Sequence, residues 1–161
     1  MSTTRNTKPA VERVHPPRWL MPLVNPIMRF LIRKGRLAGR LLLLEFDGRR
    51  TGRQYEIPVG HRYLDGRRLV LTDSGWRHNF SDGADIYITC GGTRQRVHAR
   101  LDPNPKAVAE IYDRLIGELG WQRADRQLGI RINANRRPTP GELEDLAART
   151  GLSIIWLDDT T

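Results

Sequence analysis

Short apolar runs alternate along this chain with longer stretches of helical periodicity. Four leucines at 41–44 predict a strand that is buried on both faces. Alternation over 53–64 predicts a second strand with one apolar face. That face consists of Tyr55, Ile57, Val59 and Tyr63. Pro58 lies within this stretch and lacks a backbone donor, so we expect an edge strand or a bulge there.

Two glycine-containing turns predict β-hairpins. Asp65-Gly66 leads into a strand over 67–72, and Gly91-Gly92 connects strands over 84–90 and 93–101. Five or so antiparallel strands joined in this way are typical of a small barrel. The sequence therefore predicts a mainly β protein of the α+β class, with a barrel over about 40–102 and flanking helices.

The N-terminal region is polar and contains paired prolines, so residues 1–17 are expected to form a flexible arm. Asn25 is a suitable N-cap and Pro26 fits a first helical turn, which predicts a short helix over about 26–34. A single domain is expected over 18–161.

The C-terminal region is predicted to contain helices and one strand over about 104–158. Asn104 would cap the first helix, and the capping box at 139–142 would open another. A last strand is expected over 152–157, with Trp156 in the core. The stretch 121–137 shows no pattern that assigns it to a helix or a strand.

Composition restricts the classes of function. The chain has 161 residues, of which 39% are hydrophobic, and a formal net charge of +9. Arginine exceeds lysine, which favours planar, bidentate recognition of anions, so nucleic acid, anionic lipid and a phosphorylated cofactor all remain open. The single cysteine, Cys90, excludes an intramolecular disulfide and offers no paired metal ligands, in agreement with a cytoplasmic location. No metal site is predicted.

The basic loop that follows the first barrel strand contains the densest candidate chemistry. It consists of Gly48, Arg49, Arg50, Thr51, Gly52 and Arg53. Flexible glycines, a hydroxyl and three guanidinium groups within a few residues suit a ligand that is rich in phosphate or carboxylate groups.

Two other basic features have more than one interpretation. The alternating residues of the strand over 93–101 are Arg94, Arg96, His98 and Arg100. They could form a solvated surface, an anion-binding wall or a stripe for nucleic acid, although no nucleic-acid motif accompanies them. The helix over 26–34 is both apolar and basic, so it could cap the core or contact anionic lipid.

Several motifs together resemble the deazaflavin-dependent nitroreductase family. They are Gly48-Arg49-Arg50-Thr51-Gly52-Arg53, Ile57-Pro58-Val59, Asp65-Gly66, Ser74-Gly75 and Trp76-Arg77-His78-Asn79-Phe80. The resemblance covers roughly 41–101. It implies a split β-barrel related to flavin-binding oxidoreductases, a homodimer, and coenzyme F420 as the cofactor that supplies the hydride chemistry.

The resemblance also implies roles for individual residues. The loop 48–52 would hold the phosphate and glutamate tail of F420, with Arg53 beside it. Ser74 and Gly75 would approach the ring through their backbone groups, while Trp76 and Asn79 would shape the pocket. His78 is a candidate for protonating a substrate.

The sequence departs from the family pattern on the ring side. Ser74, Gly75 and Trp76 are contiguous, whereas family members usually place several residues between the serine and the tryptophan. Residues 81–83 replace the family's Ala-Asn-Pro. The shorter ring-side segment would open, move or abolish the redox pocket, and the replacement at 81–83 changes the wall beyond Asn79.

Two functional hypotheses follow. The first is an F420-binding oxidoreductase that passes hydride to a quinone, a nitro-compound or another electron-poor acceptor, with FMN or no cofactor as alternatives. The second is a non-catalytic split barrel that binds an anionic lipid, a fatty acid or a membrane surface through its basic face and N-terminal helix. Nucleic-acid binding follows from charge alone and is not favoured.

Overall fold

The computed structural model describes residues 8–15, 21–36 and 40–160, and for 21–25 the backbone only. These residues form two compact units. We call residues 21–36, 40–103 and 153–160 the barrel unit, and residues 8–15 and 104–152 the helical unit. The division into two compact units does not test whether residues 18–161 form a single domain, which stays a prediction.

The described elements follow one another along the chain. The strands are β1 (Val11–Arg13), β2 (Leu41–Asp47), β3 (Gln54–Gly60), β4 (Arg62–Leu64), β5 (Arg67–Thr72), β6 (Ala84–Cys90), β7 (Thr93–Asp102), β8 (Ile130–Ile132) and β9 (Ser153–Asp159). The helices are α1 (Met21–Arg33), α2 (Pro105–Leu119), α3 (Trp121–Gln127) and α4 (Pro140–Thr150), and a 3-10 helix spans Gly75–Phe80.

The barrel unit contains a curled sheet in the order β3-β2-β6-β7-β9-β5-β4, and neighbouring strands are antiparallel throughout. This architecture confirms the predicted split-barrel fold of the α+β class. Both predicted hairpins are present. Asp65 and Gly66 have φ values of 52° and 77°, the backbone that a two-residue hairpin turn requires.

One face of this sheet encloses an apolar core. Its buried members are Leu42, Leu44, Phe46, Val70, Phe80, Ile86, Ile88, Val97, Ala99, Ile155 and Leu157. Phe80 belongs to the 3-10 helix. The others come from alternate positions of β2, β5, β6, β7 and β9, because successive side chains of a strand point to opposite faces. The last strand, β9, pairs with both β5 and β7 and so connects the two halves of the sheet.

The segment that was predicted as one strand over 53–64 is two strands at opposite edges of the sheet. β3 pairs with β2, whereas β4 pairs with β5, and the chain changes partner at Gly60 and His61. Tyr63 is consequently 54% exposed, not on the apolar face with Tyr55. The edge position expected from Pro58 is confirmed, because β3 is a terminal strand.

The first helix is longer than predicted. α1 extends over Met21–Arg33, so Pro26 lies inside it and not in its first turn. A proline at that position removes one backbone donor, but the missing bond does not end the helix. Ile32 of this helix is 1% exposed and anchors it in the barrel unit.

Trp156 was predicted to lie in the core and does not. It is only half-buried, on the face of β9 opposite to the buried Ile155 and Leu157. The guanidinium group of Arg67 stands 4.1 Å from its ring centroid and also pairs with Asp158. The tryptophan therefore supports a surface cation–π contact.

The helical unit begins with a strand that the sequence did not reveal. β1 pairs with β8, and Val11 is 1% exposed, so residues 11–13 are not the flexible arm predicted for 1–17. Residues 1–7 and 16–17 of that arm lie outside the described residues. α3 and β8 occupy the stretch 121–137, which the sequence left unassigned.

The predicted helix caps in this unit are confirmed. The Asn104 side chain accepts from the amides of Lys106 and Ala107, and Thr139 with Glu142 forms a capping box at α4. Among the described helices, none combines the length and the apolar character needed to cross a bilayer.

The capping box of α4 gives a pH-dependent prediction. Arg136 donates to both oxygens of Glu142 at 2.7 and 3.1 Å, and the Thr139 amide adds a bond of 2.9 Å. Arg136 first, and then Thr139, lower the pKa of Glu142 to about 2. Because the folded-state pKa is depressed, the stabilisation is complete above the ordinary value of 4.5 and is lost as the pH falls through about 2.

Glu142→Gln should therefore lower the melting temperature at neutral pH, and the difference from the wild type should disappear as the pH approaches about 2. Thermal unfolding followed by circular dichroism across this pH range measures it. Glu110→Gln, an exposed substitution on α2, serves as the control and should show little difference. If Glu142→Gln lowered the melting temperature equally at both ends of the pH range, the depressed pKa of Glu142 would be contradicted.

Candidate functional site

The basic loop lies at the tip of the β2–β3 hairpin and has a defined backbone. The Gly48 amide donates to the Arg53 carbonyl at 2.7 Å, and the Gly52 amide donates to the Gly48 carbonyl at 2.8 Å. The Arg53 amide also donates to the Thr51 hydroxyl at 3.3 Å. Gly52 has a φ of 67°, a conformation that favours glycine.

Gly48 is the first residue of this loop and is buried. A Cβ at this position would lie 2.9 Å from the Tyr55 ring and 3.2 Å from the Thr51 hydroxyl. Only glycine permits this close approach without displacing its neighbours. The glycine thereby fixes the loop against the aromatic side chain of β3.

The three arginines of the loop face the surface. Arg49 pairs with Asp82, with 3.2 Å between Nη1 and Oδ2, and 45% of its side chain is exposed. Arg53 lies 5.9 Å from the Tyr55 ring centroid. Arg50 is exposed and has no hydrogen bond or ion pair within the described residues. At least one guanidinium group therefore remains available for an external anion.

The second predicted segment forms a turn followed by the 3-10 helix. The Ser74 amide donates to the Thr72 hydroxyl at 3.1 Å. Arg77 donates to the carbonyls of Asp73 and Ser74, both at 2.9 Å. Ser74 and Gly75 are exposed, and a Cβ on Gly75 would meet no atom within 4 Å. The backbone here borders open space.

Asn79 joins the two segments. Its Oδ1 accepts from the Arg49 amide at 2.8 Å, and its Nδ2 donates to the Trp76 carbonyl at 2.8 Å. One side chain therefore fixes both the cationic loop and the turn that bears Trp76. Residues that are 30 positions apart in the sequence become neighbours through this contact.

Aromatic side chains support this junction from inside the barrel. Phe46 stacks on Tyr55 with 5.3 Å between centroids, and Phe80 meets Phe46 at 4.9 Å. Trp76 lies 6.3 Å from Phe46 and 6.2 Å from Phe80, and it is half-buried. Such contacts stabilise each pair by about 0.5–1.5 kcal/mol beyond simple burial.

The structure thus brings together most residues that the sequence singled out. The loop 48–53 is connected through Asn79 to Trp76 and its turn. His78 is exposed and makes no side-chain hydrogen bond within the described residues, so the structure adds nothing to its predicted role.

Two contributors were missed by sequence reasoning. Asp82 neutralises part of the charge of Arg49, and Arg77 clamps the turn at Ser74. Asp82 lies outside the family motifs, and the motif 76–80 contains Arg77 but does not indicate the contacts that it makes. The pairing of Phe46 with Tyr55 could have been found by counting outward from the loop, since the hairpin register places the two opposite each other.

One of the two described cavities borders the loop, because Asp47 and Gln54 flank residues 48–53 and Phe46 and Tyr55 belong to the aromatic contacts of the site. A groove of about 300 Å³ on the barrel unit is lined by Glu45, Phe46, Asp47, Gln54, Tyr55, Glu56, Asp85, Ile86, Tyr87 and Arg94. A second cavity, of about 370 Å³, lies in the helical unit between β1 and the start of α4. The loop and the turn form an open surface site and do not line either cavity.

The basic stripe of β7 is largely neutralised by carboxylates. Arg94 pairs with Glu45 at 3.2 Å, and both Arg96 and His98 pair with Asp85, at 2.9 and 2.8 Å. The hydrogen bond from His98, followed by the charges of Arg96 and His98, lowers the pKa of Asp85. These exposed pairs favour a solvated surface over a nucleic-acid stripe.

Comparisons with known proteins find similar structures but no similar sequence family. No family model matches this sequence, and no curated protein matches it. A structure described as a domain-swapped dimer is 12% identical, with a TM-score of 0.46, and the match covers 86% of this chain and 98% of the other.

Two further solved structures are similar to this chain. A protein of unknown function from Agrobacterium tumefaciens is 19% identical, with a TM-score of 0.40 over 85% of this chain and 64% of its own. An FMN-binding, pyridoxamine 5'-phosphate oxidase-related protein from Nostoc punctiforme is 17% identical, with a TM-score of 0.43 over 91% and 83%. At such values the likenesses say nothing about the ligand of this chain.

The junction at Asn79 gives a prediction. Asn79→Ala removes the acceptor of the Arg49 amide and the donor to Trp76, so the unfolding free energy should fall by about 1–3 kcal/mol. Hydrogen exchange at the loop 48–53 should also become faster. Urea unfolding and exchange mass spectrometry measure the two effects.

Ser81→Ala is the matched control, because the Ser81 hydroxyl makes one exposed hydrogen bond, to the His78 carbonyl at 2.9 Å. It should leave the exchange of the loop unchanged. Equal protection of the loop in Asn79→Ala and the wild type would show that Asn79 does not hold it.

Proposed function

We propose that this chain binds coenzyme F420 and works as an oxidoreductase that reduces an electron-poor small molecule such as a quinone or a nitro-compound. The hydrogen bond between the Arg49 amide and Asn79 carries the proposal, because it places a cationic loop beside the turn with Trp76. The motif resemblance assigns these same two segments to the tail and the ring of the deazaflavin.

The residues present fit an anionic tail. The loop offers the guanidinium group of Arg50, which has no ion pair within the described ranges, the exposed Arg53 and the hydroxyl of Thr51. Gly52 has open space beside it, since a Cβ there would meet no atom within 4 Å. Phosphate and carboxylate groups could therefore approach the loop closely and accept from its guanidinium groups and the Thr51 hydroxyl.

The ring side offers an exposed backbone next to an aromatic wall. Gly75 borders open space, and Trp76 is partly exposed above the cluster of Phe46 and Phe80. A flat ring needs close backbone approach on one side and an apolar surface on another. The bound deazaflavin would supply the hydride, and the protein would orient it and limit access of water.

The open character of this surface agrees with a site that is completed by a second copy. We therefore include a homodimer in the proposal.

FMN, which has a single phosphate and no glutamate tail, is the alternative cofactor. His78 remains the candidate for donating a proton to the acceptor, because it lies on the same 3-10 helix as Trp76.

A fluorescence titration tests the proposal. Purified protein should quench the fluorescence of oxidised F420, and Arg49→Ala with Arg50→Ala should weaken binding by about tenfold or more, because charge-assisted hydrogen bonds are lost. Arg123→Ala with Arg126→Ala is the matched control, since both are exposed on α3 and removal of two charges there should leave binding nearly unchanged.

The outcomes distinguish the hypotheses. Quenching that is lost only with the loop variant supports the proposal, and binding of FMN instead of F420 identifies the alternative cofactor. Absence of quenching at high micromolar F420, or equal losses in both double variants, rejects a tail site at the loop.

The ion pair of Arg49 gives a second prediction. Asp82 competes with the cofactor tail for this guanidinium group, so Asp82→Asn should strengthen F420 binding by up to about fivefold, the size of an exposed ion pair. Asp125→Asn is the control. It removes one negative charge at an exposed position of α3 and should change the dissociation constant for F420 much less. Weaker binding of Asp82→Asn would contradict the competition.

A further inference from the structure

One face of α1 exposes two large apolar side chains. Ile27 is 63% exposed and Phe30 is 59% exposed, the highest values among the large hydrophobic residues that are described. They are three positions apart, so they lie next to each other on the helix surface. Ile32, on the opposite side, is 1% exposed and holds the helix in the barrel unit.

Uncompensated cations adjoin this apolar pair. Lys34 lies one turn beyond Phe30, and its Nζ stands 5.8 Å from the ring centroid. Arg36 and Arg40 follow on the chain and are exposed. None of these three side chains has a carboxylate partner within the described residues.

Within the described part of the chain, this helix pairs with the carboxylate of Glu56. Glu56 accepts from Arg33 at 2.7 Å and from Arg29 at 3.4 Å. These two arginines attach the helix to β3, whereas Lys34 and Arg36 have no carboxylate partner within the described residues. The exposed face is therefore apolar at its centre and positive at its C-terminal end.

We propose that this face, defined by Ile27, Phe30, Lys34 and Arg36, docks on an anionic phospholipid bilayer. Ile27 and Phe30 would enter the boundary between headgroups and acyl chains. Lys34 and Arg36 would lie at the lipid phosphates, since their long side chains can reach outward while their stems cover apolar surface. This goes beyond the proposed redox function and does not depend on it.

A second copy of the chain is a less suitable occupant. In a two-fold symmetric contact the same patch faces itself, so the contact would enclose the cations of Lys34 and Arg36 from both copies and would supply no carboxylate from the patch to compensate them. A negatively charged lipid surface satisfies both components of the patch. The binding should be weak and reversible, because one short helix with two apolar anchors buries little area.

Vesicle sedimentation tests the proposal with the full chain. Vesicles of phosphatidylcholine and phosphatidylglycerol in equal parts should bind the protein, and vesicles of phosphatidylcholine alone should not. Binding should decline as salt is added, because surface charges are screened. Retention that is equal on both vesicles, or absent from both, overturns the proposal.

Variants separate the apolar and the charged contributions. Ile27→Ser with Phe30→Ser should weaken vesicle binding about tenfold or more, and Val14→Ser with Tyr63→Ser, two exposed apolar positions elsewhere, should not. Lys34→Gln with Arg36→Gln should weaken vesicle binding about fivefold for each charge removed. Arg123→Gln with Arg126→Gln is the control for charge and should leave vesicle binding nearly unchanged.

All these positions are exposed, and circular dichroism checks that each variant is folded. Sedimentation velocity without lipid gives the remaining outcome. If Ile27→Ser with Phe30→Ser converts a dimer to a monomer and leaves vesicle binding unchanged, the face is a contact between copies and the bilayer proposal is wrong. F420 is absent from these experiments, so their result is independent of the cofactor.

Discussion

The hydrogen bond from the Arg49 amide to the Asn79 side chain is the contact on which the candidate site depends. It joins the tip of the β2–β3 hairpin to the 3-10 helix, two segments that the sheet alone would leave unconnected. The aromatic contacts of Phe46 and Trp76 give this junction a rigid base inside the barrel. Cationic donors and an exposed turn thereby keep a fixed separation, which is the preorganisation that recognition of a cofactor requires.

On the rest of the surface, some basic side chains pair with carboxylates and others do not. Along β7, arginines meet the carboxylates of Glu45 and Asp85, so a chain with a net charge of +9 has a nearly compensated face there. Among the residues that the structure describes, cations without a carboxylate partner are found at the loop, in Arg50, and at the end of α1, in Lys34. The placement of carboxylates, more than the number of arginines, therefore decides where an anion could bind.

Turn and capping signals made much of the fold predictable. Asp65-Gly66 and the capping box at 139–142 act over a few residues, and local geometry is what such motifs determine. The division of 53–64 into two strands, the strand at 11–13 and the surface position of Trp156 depend on partners far along the chain. Periodicity within one segment contains no information about those partners.

The candidate site was predictable in part for the same reason. The loop 48–53 and the segment 74–79 are local motifs, and both could be named from the sequence. The ion pair with Asp82 and the bridge through Asn79 arise only when tertiary structure brings separate turns together. A titration with F420 followed by amide chemical shifts shows whether the loop and the turn bind one ligand. We expect the amides of 48–53 and of 74–76 to shift together and to saturate at one dissociation constant. Shifts confined to other regions, or no shifts at saturating cofactor, would show that these segments do not form one binding site.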